Sequence, residues 1–195
     1  MATEGGLGLA LEAVVLAAGA GTRFGGAKLT APWRGGRLID AAVAAALAAP
    51  VRSVIVVTGA DAAVAQAVGP HRRLRLVHAA DHAEGMAASL RAGVAALPPD
   101  ADGVFVFLGD MPRIPHAILP ALATALAGGA LAAAPVFAGR RGHPVLFARS
   151  MLLCLLRLTG DEGAKSVLDR LGLDLVLVES IDDGVLFDVD ARGDS

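Results

Sequence analysis

The sequence predicts a three-layer α/β/α fold on a mainly parallel sheet, and three observations carry that prediction. Short continuous apolar runs, among them Ala13 to Ala18, Ser53 to Thr58 and Gly103 to Leu108, have the character of strands buried on both faces. Helical segments of about ten residues alternate with them, which implies βαβ crossovers and a sheet covered on both sides. Glycine-rich or aspartate-bearing stretches follow the first and fourth runs. In such sheets ligands bind beyond the carboxyl ends of the strands.

In chain order, Ala13 to Ala18 is the first strand, followed by a loop with Gly19, Gly21, Gly25 and Gly26. Thr30 to Gly36 holds Pro32 and Trp33 and reads as irregular. Leu38 to Ala49 is an alanine-rich helix stopped by Pro50. Strands are expected at Ser53 to Thr58, Leu74 to His78, Gly103 to Leu108, Leu131 to Phe137, Val145 to Phe147, Leu175 to Val178 and Val185 to Phe187. Helices are expected at Ala60 to Val68, Gly85 to Leu97, Pro115 to Leu126, Met151 to Leu158 and Glu162 to Leu171, with Gly139 to Gly142 a turn. The 195 residues are expected to form one domain, 1–195.

A formal net charge of -2 argues against a nucleic-acid partner. The longest apolar run, Ala41 to Val51, falls short of the roughly 20 residues a membrane span needs, so no membrane partner is expected. The start has no basic region followed by an apolar one, so a cytoplasmic protein is expected. Cys154, the single cysteine, reads as a buried core thiol. Only Lys28 and Lys165 are lysine among 17 basic residues, so each stands where arginine would otherwise be expected.

Five stretches carry chemistry. The first is the glycine loop, whose backbone can bring N–H groups close to a phosphate while Arg23 and Lys28 supply charge. It fits neither the dinucleotide fingerprint, since Phe24 replaces the third glycine, nor the P-loop, since Ala27 follows Gly26 and Leu29 replaces the hydroxyl. The second is Leu108 to Pro112, where Asp110 at a strand's end could cap a helix or hold Mg²⁺ against triphosphate oxygens. The third is Phe187 to Ala191: strand alternation puts Asp188 and Asp190 on one face, as ligation requires, though a solvated chain end has the same composition. The fourth is Gly85 to Gly93, where first-turn N–H groups and Ser89 can bind a base or phosphate and Met86, Leu90 and Val94 read as core. The fifth is Gly139 to Pro144 with Gly160 to Lys165. Arg140, Arg141 and His143 in a glycine turn suit an anion or a solvated surface. His143 has no neighbouring Ser or Cys for a triad, and the other histidines lack metal-ligand spacing.

Leu16-Ala-Ala-Gly19-Ala-Gly-Thr-Arg23-Phe-Gly25-Gly-Ala-Lys28 resembles the signature Leu-x-x-Gly-x-Gly/Ser-x-Arg-x-Gly-x-x-Lys of the molybdopterin nucleotidyltransferases, the MobA-like NTP transferases. Within them the chain looks most like the molybdenum cofactor cytidylyltransferases. Ala18 stands where guanylyl-transferring relatives have glycine, and Gly85-Met-Ala-Ala-Ser89-Leu is similar to the cytidylyl form, with Asp81-His82 in place of Asn-Pro. The resemblance implies a Rossmann-like nucleotidyltransferase fold and transfer of CMP from CTP to the phosphate of molybdopterin, with release of pyrophosphate.

By the same resemblance, nucleotide binding falls to Leu16, Ala17, Ala18, Gly19, Gly21, Arg23, Lys28, Gly85, Ser89 and Asp110. Arg23, Lys28 and Asp110 are the implied catalytic residues, and Asp110 and Asp190 the ligands of Mg²⁺. Arg141, Gly142, His143, Pro144 and Lys165 are implied on the acceptor side. The implied partners are CTP and molybdopterin, with transient contact to a molybdoenzyme or its maturation chaperone. Ala191 to Ser195 departs from the family's Thr-Pro-Glu-Asp and its terminal helix. Transfer of another nucleotide, an NAD(P)H-dependent oxidoreductase on the same scaffold, and a non-catalytic cofactor chaperone are the competing readings.

Overall fold

A computed structural model describes residues 8–19, 21 and 24–190. Arg23, one of the expected catalytic residues, and the Ala191 to Ser195 ending lie outside the described residues. The strands are β1 (Leu11–Ala17), β2 (Pro32–Trp33), β3 (Gly36–Arg37), β4 (Val54–Thr58), β5 (Leu74–His78), β6 (Gly103–Leu108), β7 (Ala132–Phe137), β8 (Arg140–Arg141), β9 (Val145–Ala148) and β10 (Leu175–Glu179). The helices are α1 (Leu38–Ala48), α2 (Ala62–Ala67), α3 (Met86–Ala95), α4 (Ile118–Ala127), α5 (Leu152–Leu156) and α6 (Ala164–Leu171).

The main sheet runs β10-β7-β9-β6-β1-β4-β5, with β8 pairing with β7. β6, β1, β4 and β5 are mutually parallel, and β10 is parallel to β7. β9 runs antiparallel to both β6 and β7. The parallel centre leaves the carboxyl ends of β6, β1 and β4 side by side, where the expected site should lie.

Period-two alternation divides the buried side chains between two cores. Ala13, Val15 and Ala17 of β1 with Phe105 and Phe107 of β6 face one core, shared with Ile39 of α1, Val64 of α2 and Leu122 of α4. Val14, Val104 and Val106 face the other, with Leu90 of α3, Leu155 of α5 and Leu168 of α6. Helices thus cover both faces, and the three-layer expectation holds. Gly93 lets α3 lie close on the sheet, since a Cβ there would meet Val14 at 2.6 Å.

Several local expectations need correcting. Pro32 to Arg37 is a short antiparallel hairpin, and Gly139 to Gly142 contains β8. Val185 to Phe187 is no strand: Asp183–Leu186 is a 3-10 turn, held where His143 N–H donates to the Val185 carbonyl at 2.8 Å. Cys154 is exposed, because α5 is only five residues long and turns Leu155 to the core instead. Met86 is also exposed: Ala87 to Leu90 of the same turn are buried, but the Met86 side chain borders the open cleft beyond the strand ends.

Candidate active site

Beyond the ends of β1 and β6 lies a cleft of about 370 Å³. Its walls include Leu16, Ala18, Gly19, Gly21, Lys28, Gly85, Ser89 and Asp110, which are eight of the residues expected to bind nucleotide. The adjacent β1 and β6 bring the first two motifs together: Gly109 N–H donates to the Leu16 carbonyl at 2.9 Å, tying the aspartate turn to the root of the glycine loop. Ala60 N–H likewise donates to the Ala18 carbonyl at 3.1 Å.

The loop's form follows from its glycines and one aromatic. Gly21, Gly25 and Gly26 take φ of 58°, 88° and 89°, whereas Gly19 is outside the left-handed region. The Gly21 carbonyl accepts from Phe24 N–H at 3.0 Å and from Gly26 N–H at 3.1 Å. Phe24, the residue that breaks the dinucleotide fingerprint, is buried in the core and anchors the loop. A Cβ on Gly21 would stand 2.9 Å from that of Lys28, so the turn fits closely around the base of the lysine.

Lys28 is nearly enclosed, and its Nζ donates to Asp110 Oδ2 at 2.7 Å and lies 3.7 Å from Asp190 Oδ1. Two carboxylates from distant segments therefore surround one point of positive charge. Asp190 arrives there because Val189 N–H donates to the Asp110 carbonyl at 3.1 Å, and because Phe187 packs on Trp33 with ring centroids 5.9 Å apart. The carboxyl of Asp188 is raised from its ordinary value by partial burial, then by the charges of Asp190 and Asp110. Asp110 caps no helix: α4 begins at Ile118 behind Ala117.

The remaining expected residues fall in different places. Ala17 turns its side chain into the core away from the cleft. Arg141 is tied to Asp169 at 2.6 Å, and Lys165 is exposed. His143 is drawn well down, to about 4, chiefly by burial, and its Nδ1 is enclosed without a protein partner. Gly142 N–H donates to the Pro135 carbonyl at 2.8 Å, and His143–Pro144 is a cis peptide. Asp161, His82, Leu29 and Leu108 also line the cleft, although none of them is among the residues expected to bind nucleotide. Asp161 belongs to the Gly160 to Lys165 stretch expected on the acceptor side, and it faces the same cleft as the expected nucleotide residues.

Hard carboxylate oxygens from Asp110 and Asp190, grouped about a single cation position, form a donor set suited to Mg²⁺ when phosphates and water complete the shell. Among the described residues no group of three or more His, Cys, Asp or Glu is spaced to hold a metal without such help.

A parallel-sheet fold with a glycine loop, a lysine and two carboxylates at one strand edge defines a nucleotide-handling site of the Rossmann-like class. Residues 13–175 match the MobA-like NTP transferase domain, and the chain belongs to that family of nucleotidyltransferases. It is 26% identical over 144 residues to the molybdenum cofactor cytidylyltransferase of Escherichia coli K12, covering 74% of this chain and 73% of that protein. It is 30% identical over 185 residues to the nicotine blue oxidoreductase of Paenarthrobacter nicotinovorans, covering 91% and 90%. A solved nucleotidyl transferase from Methanothermobacter superposes with a TM-score of 0.79 at 29% identity, covering 96% of this chain and 94% of that one. No helix of the described residues is long and apolar enough to cross a membrane.

Proposed function

We propose that the protein transfers CMP from CTP to the terminal phosphate of molybdopterin. A phosphate oxygen of the acceptor would attack the α-phosphorus of CTP, and the bond to the β-phosphate would break so that pyrophosphate leaves with the electron pair. The acceptor is already an anionic nucleophile, so alignment and charge neutralisation supply the catalysis. The observation that carries the reading is Lys28 seated between Asp110 and Asp190 at the foot of a glycine loop. Lys28, with the loop's N–H groups and Arg23, would hold the β- and γ-phosphates. Asp110 and Asp190 would hold Mg²⁺, which supplies neutralisation of the triphosphate charge.

Ala18, Gly85 and Ser89 would enclose the base and sugar, and the β7–β9 turn with His143 would face the pterin phosphate. The similarity to the Escherichia coli cytidylyltransferase supports the choice of CTP and acceptor. The same reading places the protein in the cytoplasm as one domain, passing its product to a molybdoenzyme or a maturation chaperone. Incubation with molybdopterin, Mg²⁺ and either CTP or GTP, followed by pyrophosphate release, tests it. Release with CTP alone is expected; release with GTP alone overturns the cytidylyl assignment.

The likeness to a nicotine blue oxidoreductase favours one second reading, a reductase on the same scaffold. Thermal-shift titration separates the two: stabilisation by NADPH and none by CTP with Mg²⁺ would favour the reductase.

A further inference from the structure

The α3 side of the cleft is built from His82, Gly85, Met86, Ser89 and Asp161. It holds no lysine or arginine, and Lys28 is the one side chain of those two types lining the cleft among the described residues. A triphosphate therefore has its counter-charge beside the glycine loop, and the α3 side suits the uncharged part of a nucleotide.

Asp161 is placed against this side by the loop between α5 and α6. The Gly160 carbonyl accepts from Ala87 N–H at 3.1 Å, pinning the loop to the first turn of α3. Gly85 has φ 114°, and a Cβ there would stand 2.5 Å from Asp161 Oδ1, so only glycine admits the carboxylate at this place. No hydrogen bond or ion pair engages the Asp161 carboxylate among the described residues. An ionised carboxylate only accepts hydrogen bonds. It matches an exocyclic amino group and opposes a carbonyl oxygen, which is the difference between cytosine at N4 and uracil at O4.

We propose that Asp161 is the specificity-determining residue of the nucleotide site, accepting from the exocyclic amino group of the base and excluding UTP. This rests on the transferase reading above. Sites that hydrogen-bond a substrate group reject analogues lacking it far more strongly than apolar pockets do.

Calorimetric titration of the whole chain and of its Asp161→Asn variant with CTP, UTP and dCTP, each with Mg²⁺, tests it. The wild type is expected to prefer CTP over UTP by about tenfold or more, and Asp161→Asn to lose most of that preference because its amide can turn a donor toward O4. Asp161 is exposed, so thermal unfolding of the variant should match the wild type. A CTP-to-UTP ratio unchanged in Asp161→Asn overturns the assignment while leaving the transferase reading intact. So does a change that follows CTP against dCTP instead, since that would place the carboxylate on the ribose. A wild type that binds none of the three nucleotides overturns both readings together.

Discussion

Lys28 donates to Asp110 across 82 residues of sequence, at 2.7 Å, and stands 3.7 Å from Asp190. On the proposed reading, a divalent cation held by Asp110 and Asp190 would compete with the ammonium for the same carboxylates. Phosphate oxygens give the lysine another partner, so nucleotide and metal should bind in a mutually supporting way. Titration with Mn²⁺ followed by its electron spin resonance should show weak binding to the nucleotide-free protein and tighter binding to Lys28→Met. Equal binding by the two would show that the lysine does not compete.

The same variant should lose transfer activity by about 10²-fold or more, because a cation aimed at developing charge acts in a sheltered site. Its unfolding midpoint should stay close to that of the wild type. Steady-state pyrophosphate release together with a denaturant melt checks both halves.

His143 is held neutral by burial, with its value lowered from 6.5 to about 4. The unfolded chain binds a proton there first, so the stability contributed by the neutral ring is complete above about pH 6.5 and is lost as pH falls toward 4. Asp110 and Arg141 are the charges that face the ring, and they act in opposite directions. Urea melts from pH 7 to pH 4 should show His143→Gln losing less stability than the wild type, by up to about 3 kcal/mol.

Gly142 backs directly onto the Val185 carbonyl, where a Cβ would collide. Gly142→Ala should push away the segment that carries Asp188 and Asp190 while leaving the parallel centre of the sheet intact. Transfer is expected to fall by about tenfold or more, since small misplacements of a positioned group are costly. Retained far-ultraviolet circular dichroism with reduced kcat would be the matching result.

Glu12 is buried at 1% exposure and accepts from Arg52 Nε at 2.8 Å, Ser53 N–H at 2.9 Å and Ser53 Oγ at 2.5 Å. Glu12→Ala should destabilise by about 2–3 kcal/mol by stranding these donors, with no change in nucleotide binding. Asp100, the other partner of Arg52, is exposed, and Asp100→Ala should leave the melt nearly unchanged.

The parallel strands were legible because burial on both faces demands continuous apolar runs, and β1, β4 and β6 consist of little else. Val185 to Phe187 has the same local character, yet it folds as a 3-10 turn because its partners are the β7–β9 turn and Arg113, at long range. Met86 and Cys154 failed as core residues for a related reason. Helical spacing tells which residues share a face, but not that this face borders an open cleft at Met86 or that a five-residue helix leaves Cys154 in solvent. In the site, the glycine loop and Asp110 could be read because each follows its own strand directly. Asp161 could not, since its only sequence neighbours are loop residues and its approach to Gly85 depends on how α5 and α6 dock.

The sequence by itself determined the layered architecture, the strand ends at which ligands gather, and the residue types available there. Those are local properties of period, turn chemistry and charge. Only the tertiary structure decided that Lys28, Asp110 and Asp190 meet at one point, that Arg141 is occupied by Asp169, and that Asp161 stands beside the N-terminus of α3. Such encounters depend on strand order and helix docking, to which residues far apart in the chain contribute jointly.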